Sequence, residues 1–157
     1  MTSQAYREHI RVCLPIYTTR LVREAEVAYE DRDKISCPED IAHVMSTYYS
    51  DRTAEEMFVV LLDTGNTVIG LHRASVGGLA ASIVEPREVF RAALFSNAAA
   101  IILCHNHPSG NPEPSREDIR VTKQLVEAGK IMGIPVHDHV IIGDGGRYTS
   151  LAERGLI

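Results

Sequence analysis

The spacing of apolar positions changes from segment to segment along the chain, and each change predicts an element. In "ISCPEDIAHVMSTYY", residues 35–49, Ile41, Val44, Met45 and Tyr48 recur at the three-and-four spacing of one helical face. Ser36 stands where a cap is needed, Glu39 follows three residues later, and Pro38 suits the first turn. "MFVVLLD" and "TVIGLHRASV" are strand-like runs joined by "TGN", turn chemistry that predicts a hairpin, and Gly77 and Gly78 interrupt the second run. "LAASIV" predicts a further short strand. "EPREVFRAALFSN" predicts a helix that opens at Pro86 and turns Val89, Phe90, Ala93 and Leu94 inward.

"AAAIILC" is apolar without alternation, the pattern of a strand covered on both faces, so it belongs at the centre of a sheet. From Ser115 a helix is predicted to about Met132, with Ile119, Thr122, Leu125, Val126 and Gly129 on one side and Gly133 at its C-cap. "PVHDHVIIG" then reads as a strand, "DGG" as a turn and "RYTSL" as a short final strand. Strands and helices interleave after an early hairpin, which predicts an α/β or α+β sandwich: a mixed β-sheet flanked by helices. Composition shifts mildly after residue 36, dividing an N-terminal arm, 1–36, from a body, 37–157.

At 157 residues, 45% hydrophobic and 24% charged, the chain is expected to hold one core and one folded domain. Cys13, Cys37 and Cys104 are odd in number and scattered, which argues against a disulfide framework and for a reducing compartment, the cytoplasm. No apolar run approaches the roughly 20 residues that span a bilayer, and "MTSQAYREHIRV" has no signal-peptide core, so no membrane association is expected. A net charge of −5 lacks the basic excess of a dedicated nucleic-acid binder.

The chemistry concentrates in "LCHNHPSGNPEPSREDI", residues 103–119. His105 and His107 flank one residue, so on an extended chain both imidazoles leave the same face. Pro108 ends the strand, "SGNPEP" turns the chain, and Ser115 opens the next helix with Asp118 in its first turn. Two histidines and an aspartate with one open position make a catalytic zinc site. Each part also has a structural explanation. Ser115 to Asp118 is close to a capping box, and neutral histidines sit at strand ends as hydrogen-bonding groups. A second pair, His137 and His139, lacks a loop leading to another ligand and reads as structural or supporting. Cys104 adjoins His105, so its side chain faces the other way and fills core.

"HNHPSGNPEPSREDI" resembles the His-x-His-Pro signature, continued by Ser-x2-Asp, of the JAMM/MPN metalloproteases. With "EPREVFRAALFSN" and "DHVIIGDGGRYTSLAERG", the chain from about 37 to 157 is similar to the RadC branch, historically called DNA repair proteins. The resemblance implies an MPN/JAMM-like (cytidine-deaminase-like) sandwich carrying one Zn2+ per chain on His105, His107 and Asp118. It also implies that Ser115 stabilises the tetrahedral oxyanion and that an upstream glutamate is the general acid/base. The family places that glutamate just ahead of an early strand; "EEMFVVLLD" matches there, and its Glu-x-Phe form selects Glu56 over Glu55, with Glu88 as competitor.

The implied function is a zinc-dependent hydrolase acting on a peptide or protein substrate, at a peptide or isopeptide bond. Two other classes stand beside it. One is a DNA-binding, repair-associated protein using Arg116, Arg120 and Lys123, which share a helix face. The other is a catalytically silent MPN scaffold, against which the intact ligand set counts. Residues 1–36 lack the glycine-containing hairpin pattern of the helix-hairpin-helix region that RadC relatives usually carry, and Glu85 stands where relatives commonly have His.

Overall fold

A computed structural model describes residues 18, 20–23, 34–50, 52–77 and 84–157; nearly all of the expected arm and residues 79–83 of the expected "LAASIV" strand lie outside them. The described elements are α1 (Pro38–Tyr49), β1 (Glu56–Leu62), β2 (Val68–Val76), α2 (Pro86–Phe95), β3 (Ala100–Asn106), α3 (Arg116–Met132), β4 (Val136–Ile142) and β5 (Tyr148–Ser150). The strands form one sheet in the order β2-β1-β3-β4-β5. Of the neighbouring pairs only β3 and β4 run parallel, joined by the crossover helix α3; the other neighbouring pairs are antiparallel. The result is an α+β sandwich around a mixed sheet.

The side-chain parity of β3 divides the core. Every residue of β3 is buried, as its unbroken apolar run requires at the middle of a sheet. Ile101 and Leu103 face Phe90 of α2 and Val121 and Leu125 of α3. Ile102 and Cys104 face Ile41, Met45 and Tyr49 of α1. His105 extends the odd row, so it leaves the sheet on the α3 side. The thiol of Cys104 is pushed up by burial and lies in the α1 layer.

Helix ends and faces differ from the sequence expectation by small rotations. The N-cap of α1 is Cys37, and Asp40 rather than Glu39 closes the box, accepting from the backbone N–H of Ser36 at 2.8 Å and of Cys37 at 3.2 Å. In α2, Ala92 is buried with Val89, Phe90 and Ala93, while Leu94 points outward, 52% exposed. The inward row of α3 is Asp118, Val121, Thr122, Leu125 and Gly129; Ile119 and Val126 are only half-buried. This rotation carries a carboxylate and a hydroxyl toward the end of β3. In β4 a bulge intervenes: Ile101 pairs with Val136 and Ile102 with Asp138, leaving His137 as the extra residue. His137 and His139 therefore do not act as a same-face pair. His137 is exposed and His139 fully buried.

Among the described residues, no helix is long and apolar enough to cross a membrane. The tightest helix packing falls at Gly129, where a Cβ would meet the Ile134 carbonyl at 2.5 Å and Phe90 Cζ at 3.2 Å. Gly129→Ala is expected to destabilise the fold by about 1–3 kcal/mol through overpacking, read as a lower thermal midpoint; an unchanged or raised midpoint would contradict this packing.

Candidate metal centre

The centre is assembled at the C-terminal end of β3. His105 is the penultimate residue of that strand and His107 follows its end, with their Nε2 atoms 2.9 Å apart. Asp118, from the first turn of α3, sets Oδ1 3.5 Å from His105 Nε2 and Oδ2 3.5 Å from His107 Nε2. Glu55, immediately before β1, sets Oε1 3.9 Å from His105 Nε2. One ligand atom from each of these four residues lies within 4.8 Å of the others.

Local hydrogen bonds hold each group. Ser115 Oγ accepts from Asp118 N–H at 3.1 Å, and Ser115 N–H donates to Asp118 Oδ2 at 2.6 Å. The capping box and the convergence on the histidines thus coexist, since the cap is what aims the short carboxylate. His107 Nδ1 lies 2.8 Å from the carbonyl of Asn111. A carbonyl only accepts, so His107 keeps a proton on Nδ1 and, when neutral, turns the lone pair of Nε2 inward. The loop between them is pinned from outside: Arg147 Nη2 and the Asp144 N–H both donate to the Gly110 carbonyl, at 2.8 Å and 3.0 Å. Gly110 itself has φ +76° and lies so close to the Asp144 carboxylate that a Cβ would clash with it.

The two adjacent glutamates part company across the sheet. Met57 pairs with His105 and Phe58 with Cys104, so alternation sends Glu55 to the His105 face and Glu56 to the α1 face. The carboxylate expected at the site from the Glu-x-Phe pattern, Glu56, does not reach it. It accepts from the Tyr48 hydroxyl at 3.1 Å and pairs with Arg52 at 3.8 Å. Asn106, between the two histidines, fixes this parting: its Oδ1 accepts from Glu56 N–H at 2.8 Å and its Nδ2 donates to the Ala54 carbonyl at 3.0 Å. Glu88 is occupied on α2 by Arg91 and Arg87. The signal for Glu55 was available as parity relative to Phe58, but only once the β1–β3 register is known.

The electrostatics favour positive charge at the point of convergence. Burial holds His105 well below the usual imidazole range, with His139 and His107 adding to the effect and Asp118 opposing it. His107 is raised, first by its bond to Asp118, against the opposing effect of burial. Burial pushes Asp118 up, but His107, Ser115 and His105 outweigh it and the carboxyl sits well below its ordinary range. The Asp118 carboxylate, which raises His107, thus favours positive charge where two nitrogens and a carboxylate meet. Imidazole nitrogens and carboxylate oxygens with no thiolate fit a divalent ion such as zinc.

A sheet whose central strand ends in a buried His/His/Asp cluster defines a candidate metalloprotein domain. Residues 35–156 match the RadC-like JAB domain family, and the chain belongs to it. It is 54% identical over 134 residues to a UPF0758 protein of Salinibacter ruber, covering 85% of this chain and 57% of the relative. A UPF0758 protein of Methanosarcina mazei is 47% identical over 138 residues, 87% of this chain and 60% of its own, and one of Desulforamulus reducens is 48% identical over 135 residues, 86% and 59%. The chain therefore spans about three-fifths of the length of these curated relatives.

The purified chain is expected to hold one zinc ion, and His107→Ala to lose it, as metal analysis after gel filtration would show; full retention by the variant would move the site elsewhere. Zinc must displace the His107 proton, whose pKa is raised, whereas His105 is already neutral. Affinity should accordingly fall about tenfold per unit as pH drops below the His107 pKa, with onset above the ordinary imidazole value. Chelator competition across that range checks it; a flat profile would contradict ligation through His107.

Proposed function

We propose that the chain is a zinc-dependent hydrolase of JAMM type that cleaves a peptide or isopeptide bond. The observation that carries this reading is the convergence of Glu55, His105, His107 and Asp118 donor atoms within 4.8 Å of one another. His105, His107 and Asp118 hold the ion. When bound, it supplies the Lewis acidity that lowers the pKa of water and polarises a substrate carbonyl.

The remaining work falls to side chains at the mouth of the site. Glu55 is 27% exposed in its side chain, so it meets solvent while staying 3.9 Å from His105 Nε2. In that position it takes the proton of the attacking water and returns it to the leaving nitrogen. Ser115 Oγ accepts the Asp118 N–H, which leaves its own hydroxyl proton free to donate to the substrate oxygen as charge develops there. Glu56 instead braces α1 through Tyr48 and Arg52. The DNA-binding alternative is weakened because Arg120, one of the three cations it needs, is engaged by Glu117 at 2.5 Å. We take the cytoplasm as the compartment, Cys37 and Cys104 both being free.

Assayed on a library of isopeptide-linked and linear peptides, Glu55→Gln should keep its zinc and lose about 10²–10⁴-fold in turnover. Glu56→Gln should stay within a few-fold of the parent. The reverse pattern would return the role to Glu56, and hydrolysis unaffected by either substitution would sink the proton-shuttle account.

A further inference from the structure

The second His-x-His of the sequence contributes one imidazole to a buried row behind the candidate metal centre. His139 is fully buried, and the β3–β4 pairing sets it opposite Leu103 on the same sheet face as His105. Its Nε2 lies 2.7 Å from His105 Nδ1. Its Nδ1 lies 2.5 Å from Thr122 Oγ1, and Thr122 Oγ1 lies 2.5 Å from the carbonyl oxygen of Asp118. The row therefore begins and ends on groups of the proposed centre, since Asp118 supplies its carbonyl to one end and its carboxylate to the place His105 faces.

The direction of every hydrogen in the row is set from its far end. The Asp118 carbonyl only accepts, so the Thr122 hydroxyl donates to it. The lone pair left on Thr122 Oγ1 requires a donor, which makes His139 Nδ1 the protonated nitrogen. An imidazolium enclosed between two neutral partners in the core is costly, so His139 Nε2 carries no proton and accepts from His105 Nδ1–H. His105 then has only a lone pair at Nε2, where His107, Asp118 and Glu55 converge.

We propose that Thr122 and His139 are positioning residues that lock His105 in its Nδ1–H tautomer, so that Nε2 presents a lone pair to a divalent cation. The inference rests on the metal reading above and deepens it. Neither residue reaches the point of convergence; both act through His105. Removing the Thr122 hydroxyl frees His139 to carry its proton on Nε2 instead. That proton would point at His105 Nδ1, force the His105 proton onto Nε2 and close the site to a cation. Metal ligands of this kind depend on the partner of their other nitrogen for orientation and tautomer.

The test uses the full chain in two measurements. Ring-nitrogen NMR of the metal-free protein reads the tautomers directly: His105 and His139 should both be protonated on Nδ1, and in Thr122→Val both should shift together toward Nε2. Zinc affinity, by competition with a chromophoric chelator, should weaken about 10–100-fold in Thr122→Val and return to within about threefold of the parent in Thr122→Ser, which restores the hydroxyl. A parent chain with the His105 proton on Nε2, or a Thr122→Val variant with parental affinity and unchanged tautomers, would overturn the proposal. If the parent chain takes up no zinc, the metal reading fails, while the tautomer spectrum still decides whether the row is ordered as described.

Discussion

Two imidazole nitrogens 2.9 Å apart, with a buried carboxylate 3.5 Å from each, form an arrangement that needs a proton or a cation among them. His107 has its other nitrogen committed to the Asn111 carbonyl and His105 to His139, so neither can turn away to relieve the crowding. A proton or a metal ion must sit among them. The rest of the molecule serves to hold this arrangement. The central strand sets one histidine at its buried C-terminal end, the helix cap aims Asp118, and the β4–β5 turn pins the loop between them through Gly110.

The sheet makes the arrangement possible because of where β3 lies. Its parallel partner β4 brings His139 behind His105, and its antiparallel partner β1 brings Glu55 in front. Side chains of the candidate centre thus arrive from both neighbouring strands and from the crossover helix at one strand end, the place where ligand sites fall in open α/β sheets. Asn106, facing the opposite side, ties the start of β1 to the end of β3 through both the oxygen and the nitrogen of its side-chain amide, so the separation of Glu55 from Glu56 is built into the backbone.

Much of this was legible in the residues. The apolar run before His105 announced a central strand, and Pro108, Ser115 and Asp118 announced a turn that brings a helix start back. What stayed hidden were relations between segments. Glu56 was favoured from spacing to Phe58, yet only the pairing of Met57 with His105 reveals which glutamate shares the histidine face. His137 and His139 looked like a matched pair until the bulge beside Ile101 and Ile102 put one outside and the other in the core. Thr122 was expected on the inner face of α3, but its bonds to His139 and to the Asp118 carbonyl depend on a crossover packing that no local pattern encodes. The exposure of Leu94 has a similar origin, since small rotations of a helix are set by the shapes it packs against.

The measurement that bears most directly on this account is zinc K-edge X-ray absorption on the metal-loaded chain. Ligation by His105, His107 and Asp118 gives only light nearest neighbours, at about 2.0–2.2 Å, with the multiple-scattering signature of two imidazoles. A sulfur neighbour at about 2.3 Å, or a spectrum without imidazole scattering, would mean that zinc is held elsewhere and that the histidines at the end of β3 meet for another reason.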